Sequence, residues 1–485
     1  GGISGLSTAW FAAKAAPRTT LIKVIEGGTR CGGWIHSSLD SDSDVLFESG
    51  PRTLRPVGPQ GLATLELVFA LGLKDQVIAV PKNSPAAKNR FIKYNGNINK
   101  MPSSLQEALF PPTGHVFRGV MARGALEPFI KRTKADDESI HDFVSRRFGR
   151  HVADNMISAL VHGIYAGDSR NLSVKSCFKF LWEAEQKYGS VVLGLLAEAF
   201  KKPVPDVYSH TTSPEGIEFI QKTKSASVYA FKNGLQTLTD AIIADLTKNH
   251  PNVSILQNTR ATHINLTPSN TVKVTTSTNE IFESSTVISA LDSLTLQTLL
   301  PKTSSLPALL SKNPSVDVAV VNLAYKPPTT LPVSGFGYLV PRTQTSDVIG
   351  VIFDSSAIPG QGSDPSLTRI TCMMGGHRFK EVFASGYSND LALEKAKKAI
   401  RDDLGIAVDP DAFKVSLHRQ CITQYTVGHS KRMQEMHGLL QKEFDGKLSV
   451  VGNSWFGVGV NDCVLGARET VERILKGDKA VTGLE

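Results

Sequence analysis

The sequence predicts an α/β fold, α+β overall, that is built from more than one domain. With 485 residues, the chain exceeds the size that one hydrophobic core usually serves. Strand-like and helix-like segments alternate near both ends, and a block of helical periodicity lies between them. This order predicts two sheet-containing parts and an inserted helical part.

The composition is that of a globular protein with a basic balance. Hydrophobic residues make up 41% of the chain, charged residues make up 20%, and the formal net charge is +8. A basic balance favours anionic partners, although solubility alone explains it equally well. The sequence contains no RNP or zinc-finger motif, so we expect no nucleic-acid partner.

The cysteines are odd in number, scattered and without a C-x-x-C pair, which argues against a disulfide framework and against a metal site. They are Cys31, Cys177, Cys372, Cys421 and Cys463. No unbroken apolar stretch approaches the length of a membrane-spanning helix, so we expect none.

The first residues have the pattern of a phosphate-binding turn. Gly2 and Gly5 match the last two glycines of a G-x-G-x-x-G motif, and Gly1 stands at a variable position. A helix-like stretch follows over Ser7–Ala16, and Leu21–Ile25 reads as a short buried strand. Glycines in such a turn let the backbone approach a pyrophosphate at a helix N-terminus. This order predicts a Rossmann-like dinucleotide-binding domain.

The strand and the first glycine of this motif do not precede Gly1 in the sequence. We expect both of them upstream, in a longer protein. The alternative is that the chain binds its dinucleotide poorly.

An acidic residue stands where a dinucleotide ribose requires one. Glu26 follows the strand-like segment, about 20 residues after the glycines, at the usual place of the acid that binds the ribose 2′-OH. The alternative interpretation is a solvated acid at a strand end. The segment Gly27–Trp34 comes next and contains four glycines and Arg30.

Further segments have the periodicity of strands or helices. The strand-like ones are Val253–Leu256, Val272–Val274, Thr286–Ala290, Val316–Ala324, Gly337–Val340, Val348–Phe353, Arg369–Met373 and Leu448–Gly452. The helix-like ones are Leu391–Leu404, Asn461–Leu475 and the block from Ser104 to Phe200.

Several motifs carry a resemblance to a known family. Gly27–Trp34 resembles the second dinucleotide motif of the FAD-dependent amine-oxidase and phytoene-desaturase superfamily. Within it, the chain most resembles the mitochondrial, eukaryotic branch of the protoporphyrinogen oxidases. The segments that carry this likeness, in family order, are Phe47–Arg52, Ala86–Phe91, Gly163–Asp168, Gly335–Pro341, Cys421–His429 and Gly459–Cys463.

The resemblance implies FAD as the cofactor and a six-electron oxidation of protoporphyrinogen IX to protoporphyrin IX. Molecular oxygen takes the electrons and becomes hydrogen peroxide, in the penultimate step of haem biosynthesis. In such chemistry the protein positions and tunes the cofactor. No triad and no metal is required, and His429, for which no partner is identifiable, is interpreted as structural.

The resemblance also implies a set of substrate-binding residues. Arg90 matches the arginine that pairs a propionate, and a guanidinium suits a carboxylate; a surface arginine is the alternative. The others match positions that contact the tetrapyrrole rings, with ordinary strand core or a turn as the alternative. They are Gly167, Leu339, Ile352 and Met373.

The residues that the resemblance assigns to the cofactor come from the glycine turn, the acid and its following loop, a loop beneath the flavin, one mid-chain strand and the C-terminal helix. A C-terminal packing helix is the alternative for the last of these. They are Gly1, Gly2, Ile3, Ser4, Gly5, Glu26, Arg30, Gly33, Trp34, Gly50, Pro51, Arg52, Thr53, Ala261, Asn453, Val458, Gly459 and Val460.

Three domains follow from the family pattern. We expect an FAD-binding domain from residues 1–80, 229–294 and 441–485. A mixed-sheet substrate-binding domain takes residues 81–104, 207–228 and 295–440, and a helical membrane-associated domain takes residues 105–206. Basic and apolar residues mix in the helical part, which suits either an anionic membrane surface or a solvated helix face.

The family further implies a homodimer that is peripherally bound to the mitochondrial inner membrane, on the intermembrane-space side, with ferrochelatase as a partner that could receive the product.

Two other functions compete with this one. Another flavin oxidase of the superfamily, such as an amine oxidase, would need acids for a cationic substrate, and the Arg90 segment argues against it. A non-catalytic flavin- or porphyrin-binding protein is favoured only by the incomplete first motif.

Overall fold

The computed structural model describes residues 1–112, 114–201, 208 and 210–485. Within them, one seven-stranded sheet, one three-stranded sheet and four strand pairs are surrounded by helices. The predicted mixed α/β class is confirmed. The predicted domain bounds stay a prediction, and the boundary between residues 206 and 207 lies outside the described residues.

The strands of the described residues are β1 (Ile22–Ile25), β2 (Ser37–Leu39), β3 (Leu46–Glu48), β4 (Val77–Pro81), β5 (Phe91–Tyr94), β6 (Asn97–Lys100), β7 (Ala226–Phe231), β8 (Val253–Leu256), β9 (Ala261–Leu266), β10 (Val272–Thr276), β11 (Ile281–Ser284), β12 (Val287–Ser289), β13 (Ser315–Tyr325), β14 (Gly337–Leu339), β15 (Val348–Ile352), β16 (Thr368–Gly375), β17 (Ala412–Thr423) and β18 (Leu448–Val450).

The helices are α1 (Ile3–Ala15), α2 (Gly58–Ala70), α3 (Pro85–Lys88), α4 (Leu105–Leu109), α5 (Val120–Leu126), α6 (Ile140–Phe148), α7 (Ser158–Tyr165), α8 (Val174–Cys177), α9 (Lys179–Tyr188), α10 (Val191–Ala199), α11 (Pro214–Lys224), α12 (Gln236–Asn249), α13 (Ser293–Leu299), α14 (Leu306–Leu310), α15 (Asp354–Ala357), α16 (Phe379–Val382), α17 (Asn389–Leu404), α18 (His429–Phe444) and α19 (Val460–Leu475). A π-helical turn over Val152–Ile157 leads into α7.

The N-terminal helix α1 is the centre of the dinucleotide-type part. It packs against α12 and α19, and the parallel pairs β1–β8 and β12–β18 lie near it. Leu6, Trp10 and Phe11 are at most 3% exposed, so the helix is buried along most of its length. It begins at Ile3 rather than at the predicted Ser7, because Gly2 is its N-cap.

The seven-stranded sheet forms the second part, in the order β17-β13-β16-β15-β14-β5-β6. Its strands pair antiparallel except β14 and β5, which are parallel. One face packs against α17, whose apolar residues join Tyr338, Val351 and Cys372 in a buried core. Four of its strands are predicted from the sequence, whereas β5, β6 and β17 are not, although Phe413, Val415 and Leu417 of β17 alternate with polar residues as in a half-buried strand.

The helical part, residues 105–199, is built on its own core around Phe143 and Trp182. Arg147 lies fully buried in it and donates to Glu127 at 2.8 Å and to Glu185 at 2.6 Å. Paired and hydrogen-bonded in this way, the buried charges are tolerated. In the residues that the structure describes, none of the helices is both long and apolar enough to cross a membrane.

The two sheet-containing parts are joined by a buried ion pair. Arg52, in the loop after β3, donates to Asp354 at 2.7 Å, and Arg52 is only 5% exposed. Thr371 of β16 donates to the other carboxylate oxygen of Asp354 at 2.6 Å. The loop at residues 50–53 is thereby fixed against the seven-stranded sheet.

Breaking this pair should destabilise the protein. In Asp354→Ala, the buried Arg52 guanidinium loses its counter-charge, which typically costs about 3–5 kcal/mol. We expect a clearly lower urea midpoint, followed by intrinsic fluorescence. The matched control is Asp402→Ala, which breaks an exposed pair with Lys398 and should leave the midpoint in place. Equal midpoints in the two variants would contradict the role of the buried pair.

Candidate active site

The N-terminus of α1 is a cradle for an anion. Its N-cap, Gly2, provides no side-chain cap, and the first turn contains no acid. A Cβ atom on Gly33 would lie 3.0 Å from the Cα of Gly2. The turn that contains Gly2 and the loop that contains Gly33 therefore pack against each other through their backbones. The carbonyl of Gly1 accepts from the amide of Gly32 at 2.7 Å. Free amides at a helix N-terminus suit a pyrophosphate.

The other residues of this turn fix the helix to its surroundings. A side-chain carbon on Gly5 would lie 3.3 Å from Ala290 Cβ, which makes this a close helix contact. Ser4 is 7% exposed and faces Gly452, just after β18. Ile3 packs into the core next to α1. The predicted cofactor residues at the N-terminus therefore lie together.

Glu26 is placed at the C-terminal end of β1, beside the cradle. Its carboxylate accepts from the amide of Gly28 at 2.6 Å, and its side chain keeps 21% exposure. The amide of Thr259 donates to the carbonyl of Glu26 at 2.8 Å, which brings the start of β9 and Ala261 alongside. This arrangement suits an acid that receives a ribose hydroxyl.

Arg30 orders the loop that covers the turn. Its guanidinium donates to the carbonyls of Gly33 at 2.6 Å and of Ile35 at 3.1 Å. Trp34 is 43% exposed and stacks edge-on against His418, with ring centroids 5.2 Å apart. A side chain on Gly50 would collide with the carbonyl of Trp34, so the two loops touch here.

The loop of Gly50, Pro51, Arg52 and Thr53 continues from this contact towards Asp354. Arg52, predicted to hold the cofactor, uses its guanidinium for the ion pair, and its other contacts are the carbonyls of Glu48 and Gly50 at 3.4 Å. Glu48 is almost fully buried, and burial raises its pKa to about 7. Arg52 therefore acts on the site by fixing the loop.

The C-terminal helix α19 points its N-terminus into the same region. Gly459 is its N-cap, and the amide of Gly459 donates to Asp462 at 3.1 Å. Val458 and Val460 flank the cap and are largely buried. Asn453 donates to the carbonyl of Cys421 at 3.1 Å, so the turn after β18 is tied to the end of β17.

These features fit FAD. The uncapped α1, the close approach of Gly2 and Gly33, and Glu26 beside them supply the diphosphate and ribose contacts that a dinucleotide needs. The positive end of the α19 dipole would favour a flavin that gains negative charge on reduction. Each of the individual contact residues stays a prediction.

The predicted substrate residues of the sheet share one face. Leu339 pairs with Gly350, and Gly350 pairs with Met373, so they form one row across β14, β15 and β16. Ile352 lies two residues beyond Gly350 and therefore points to the same side. All three apolar side chains are half-buried, whereas their strand neighbours pack into the core on the other face.

Two glycines lie in the strand rows of this apolar face. Gly350 in the Leu339 row and Gly337, which pairs with Ile352, present no side chain. Thr371 pairs with Ile352 in the next row and donates to Asp354, the partner of Arg52. The apolar face is thus turned towards the loop at residues 50–53, which is predicted to lie beneath the flavin.

Arg90 lies at the edge of this face. Its guanidinium stands 5.4 Å over the ring of Phe336, and Phe336 and Ile352 pack against the same buried cluster of Ala230, Ala357 and Ile358. Burial, followed by the charge of Arg55, lowers the pKa of Arg90. Among the described residues, no carboxylate forms an ion pair with either arginine. Two neighbouring cations without a counter-charge favour an anionic ligand.

Gly167 lies on the other side, after the end of α7. A side chain there would meet Gln424 and Leu172, so the backbone is closely packed. Helix α7 itself contacts β14 and β15, and Gly163 on it faces Leu339. His429 is fully buried; its Nε2–H donates to the carbonyl of Trp455 at 2.7 Å, and its ring stacks on Tyr425, as expected for a structural residue.

Comparison with known proteins identifies the family. The family model "Flavin containing amine oxidoreductase" matches residues 3–475. This chain belongs to that family. The predicted FAD cofactor and the predicted class, an FAD-dependent oxidoreductase, are confirmed.

Curated relatives extend the likeness along the whole chain. The chain is 36% identical to "Protoporphyrinogen oxidase" of Schizosaccharomyces pombe over 98% of its own length and 97% of that protein. It is 35% identical to the human protein of the same name, with the same coverage. The predicted resemblance to the protoporphyrinogen oxidases is confirmed.

Solved structures share the fold. A protein named as a candidate protoporphyrinogen oxidase from Exiguobacterium sp. 255-15 superposes with a TM-score of 0.78 at 20% identity, covering 98% of this chain and 97% of that one. Cyclohexylamine oxidase from Brevibacterium oxydans IH-35A gives 0.65 at 13% identity, with the same coverage. At these identities the likeness shows the fold alone.

Sequence reasoning missed several residues that the structure brings to the site. Asp354 and Thr371 belong to no motif, and Gln424 has no role assigned to it within the segment Cys421–His429, so only the folded sheet reveals their partners. The pair His162 and His377 is separated by 215 positions, so no local pattern could link its members.

The close contact at Gly5 gives a direct test of the cradle. In Gly5→Val, the branched side chain must intrude on Ala290, shift α1 and spoil the phosphate-binding turn. We expect purified Gly5→Val protein to lack bound flavin, measured as the ratio of flavin to protein absorbance.

The matched control is Gly466→Ala in α19, where an added carbon meets nothing within 4 Å. It should stay fully loaded with flavin. A yellow, stoichiometrically loaded Gly5→Val protein would contradict the proposed cradle.

Proposed function

We propose that this protein is an oxygen-dependent protoporphyrinogen oxidase that converts protoporphyrinogen IX to protoporphyrin IX, the penultimate step of haem biosynthesis. The observation that carries the proposal is the half-buried apolar face of Leu339, Ile352 and Met373, with the unpaired cation of Arg90 at its edge. A mostly apolar macrocycle with two propionates matches both features. The curated relatives support the same activity.

The chemistry requires the removal of six electrons in three two-electron steps. FAD held at the N-terminus of α1 and beside Glu26 would supply the two-electron acceptance, with oxygen as the final acceptor and hydrogen peroxide as its product. The protein would hold the macrocycle between the apolar face and the end of α7 and would orient it by a propionate on Arg90. The ion pair of Arg52 and Asp354 would hold the loop at residues 50–53, which is predicted to lie beneath the flavin, at a fixed position next to the apolar face.

The competing function, amine oxidation, requires a site that attracts a cation. Arg55 and Arg90 lie near each other and no carboxylate pairs with them in the described part of the chain, so a protonated amine would be repelled at this edge. The amine oxidases among the structural neighbours share only the fold.

The activity is tested by adding protoporphyrinogen IX to the flavin-loaded protein in air and following porphyrin fluorescence. We expect fluorescence growth that exceeds autoxidation and stops when oxygen is removed. Loaded protein that leaves the substrate unchanged would contradict the proposal, and turnover of a primary amine instead would favour the competing function.

Arg90 supplies a sharper test of the substrate. In Arg90→Ala, loss of one charged hydrogen-bonded contact, worth about 1–3 kcal/mol, should raise KM for protoporphyrinogen by roughly 5- to 150-fold. Flavin content should be unchanged. The control is Lys88→Ala, an exposed cation two residues away, which should leave KM as it is. An unchanged KM in Arg90→Ala would refute the propionate contact.

We further propose that the helical part binds the surface of an anionic membrane. Phe110, Phe129 and Phe200 are 79%, 83% and 87% exposed there. Arg118 and Lys131 belong to the same part, and exposed aromatic and basic side chains together suit an anionic interface. The predicted location on the mitochondrial inner membrane, the homodimer and a ferrochelatase partner stay predictions.

Membrane binding is tested by sedimentation with vesicles of anionic phospholipid. Phe129→Glu should release protein into the supernatant, because a carboxylate replaces a side chain that would enter the interface. Phe413→Glu, a similar change on β17, is the control and should bind like the original protein. Vesicle binding that neither change affects would contradict the assignment of this surface.

A further inference from the structure

Two histidines from distant parts of the chain form a direct pair. His162, on α7, and His377, just after β16, approach through their Nε2 atoms at 2.9 Å, and their ring centroids lie 5.1 Å apart. His162 is 3% exposed, and His377 is half-buried. The Nδ1 atom of His162 lies 2.7 Å from the carbonyl oxygen of Val340.

This chain of contacts fixes the protonation of both neutral rings. A carbonyl oxygen only accepts a hydrogen bond, so Nδ1 of His162 must carry the ring's N–H hydrogen. Nε2 of His162 is then unprotonated and accepts through its lone pair. His377 must then donate to His162 through Nε2–H, which leaves Nδ1 of His377 unprotonated and able to accept a proton. Among the described residues, that Nδ1 has no hydrogen-bond partner, and it is not among the polar atoms that are fully buried without one.

His377 lines a cavity of about 460 Å³ together with Val316, Asp168 and Gln424. The amide of His377 donates to the carbonyl of Ala166 at 2.8 Å, next to Gly167. His162 precedes Gly163, which faces Leu339. Gln424 and Leu172, which also line this cavity, abut Gly167, so the pair lies beside one of the predicted substrate residues, and the free Nδ1 belongs to the ring that lines the cavity.

The charged groups around the pair are themselves paired. Asp168 accepts from Arg342 at 2.5 Å, and Arg378 pairs with Glu381 at 2.7 Å. Burial is the main cause that lowers the pKa of His377, and it lowers that of His162 to about 4. Near neutral pH both rings are thus uncharged, and His377 can accept a proton.

We propose that this cavity is the part of the substrate site next to Gly167, that His377 is the proton acceptor there, and that His162 is a positioning residue that fixes its tautomer. The inference rests on the proposed function. In each two-electron step the porphyrinogen loses a hydride, which goes to the bound flavin, and a proton, which goes to His377 Nδ1 and then to water. Reoxidation by oxygen takes up one proton per hydrogen peroxide, so the three steps balance.

Replacing His377 should remove the base while leaving the cofactor in place. In His377→Gln we expect normal flavin content and a kcat that is lower by about 10²-fold, at the lower end of general-base effects. The acidic limb of the kcat/KM profile, where protonated His377 cannot accept, should disappear. The control His263→Gln, an exposed histidine on β9, should keep both the rate and the profile.

His162 can be tested by a matched pair of variants. A glutamine can donate its amide hydrogen to Val340 and accept from His377, so His162→Gln should retain most of the rate. A leucine can do neither. In His162→Leu, protonated His377 loses its hydrogen-bond acceptor, so the pKa of His377 should fall. The acidic limb of the kcat/KM profile should then move to lower pH, and kcat should fall because the tautomer of His377 is no longer fixed. Identical profiles in the two variants would refute the positioning role.

A measurement without turnover keeps the inference testable even if a variant fails to fold. In protein labelled with ¹⁵N-histidine, the His377 Nδ1 signal should be that of an unprotonated nitrogen at neutral pH and should titrate as the pH falls. A protonated Nδ1 at neutral pH, or a wild-type rate in His377→Gln, would overturn the proposal. Wild-type protein that leaves protoporphyrinogen unchanged would instead refute the underlying function.

Discussion

The ion pair between Arg52 and Asp354 is the contact on which the geometry of the site depends. It joins the loop that follows β3 to the seven-stranded sheet, at 2.7 Å and largely out of water. Asp354 is also held by Thr371, a residue of the same sheet face as Met373. One buried charge pair therefore joins the loop at residues 50–53 to the seven-stranded sheet, and removal of either partner would leave the other as an uncompensated buried charge.

Around this contact, the chemistry is divided between regions of opposite character. The cofactor side offers backbone amides, two helix N-termini and one acid, Glu26, which are the groups that a dinucleotide requires. The substrate side offers apolar side chains and glycines, with unpaired cations at its edge. Helix α7 of the helical part packs on β14 and β15 of this sheet, so residues from all three parts of the chain would contribute to the proposed site.

Much of this arrangement is predictable from the sequence, because local patterns encode it. The glycine turn, Glu26 and four strands of the seven-stranded sheet follow from spacing and periodicity, and the order of family motifs identifies the chemistry. Strand β17 escapes the prediction even though Phe413, Val415 and Leu417 alternate with polar residues, which is the pattern of a half-buried edge strand. Contacts such as that of His162 with His377 escape it as well, since they depend on how distant elements meet rather than on any local pattern.

The central claim is that a macrocycle lies between the apolar sheet face and the end of α7. A structure of the protein with FAD and protoporphyrin IX bound tests this most directly. The account predicts ring contacts with Leu339, Ile352 and Met373, a propionate at Arg90 and the flavin above the loop at residues 50–53. A porphyrin bound outside this cleft, or a flavin whose diphosphate lies away from the N-terminus of α1, would contradict it.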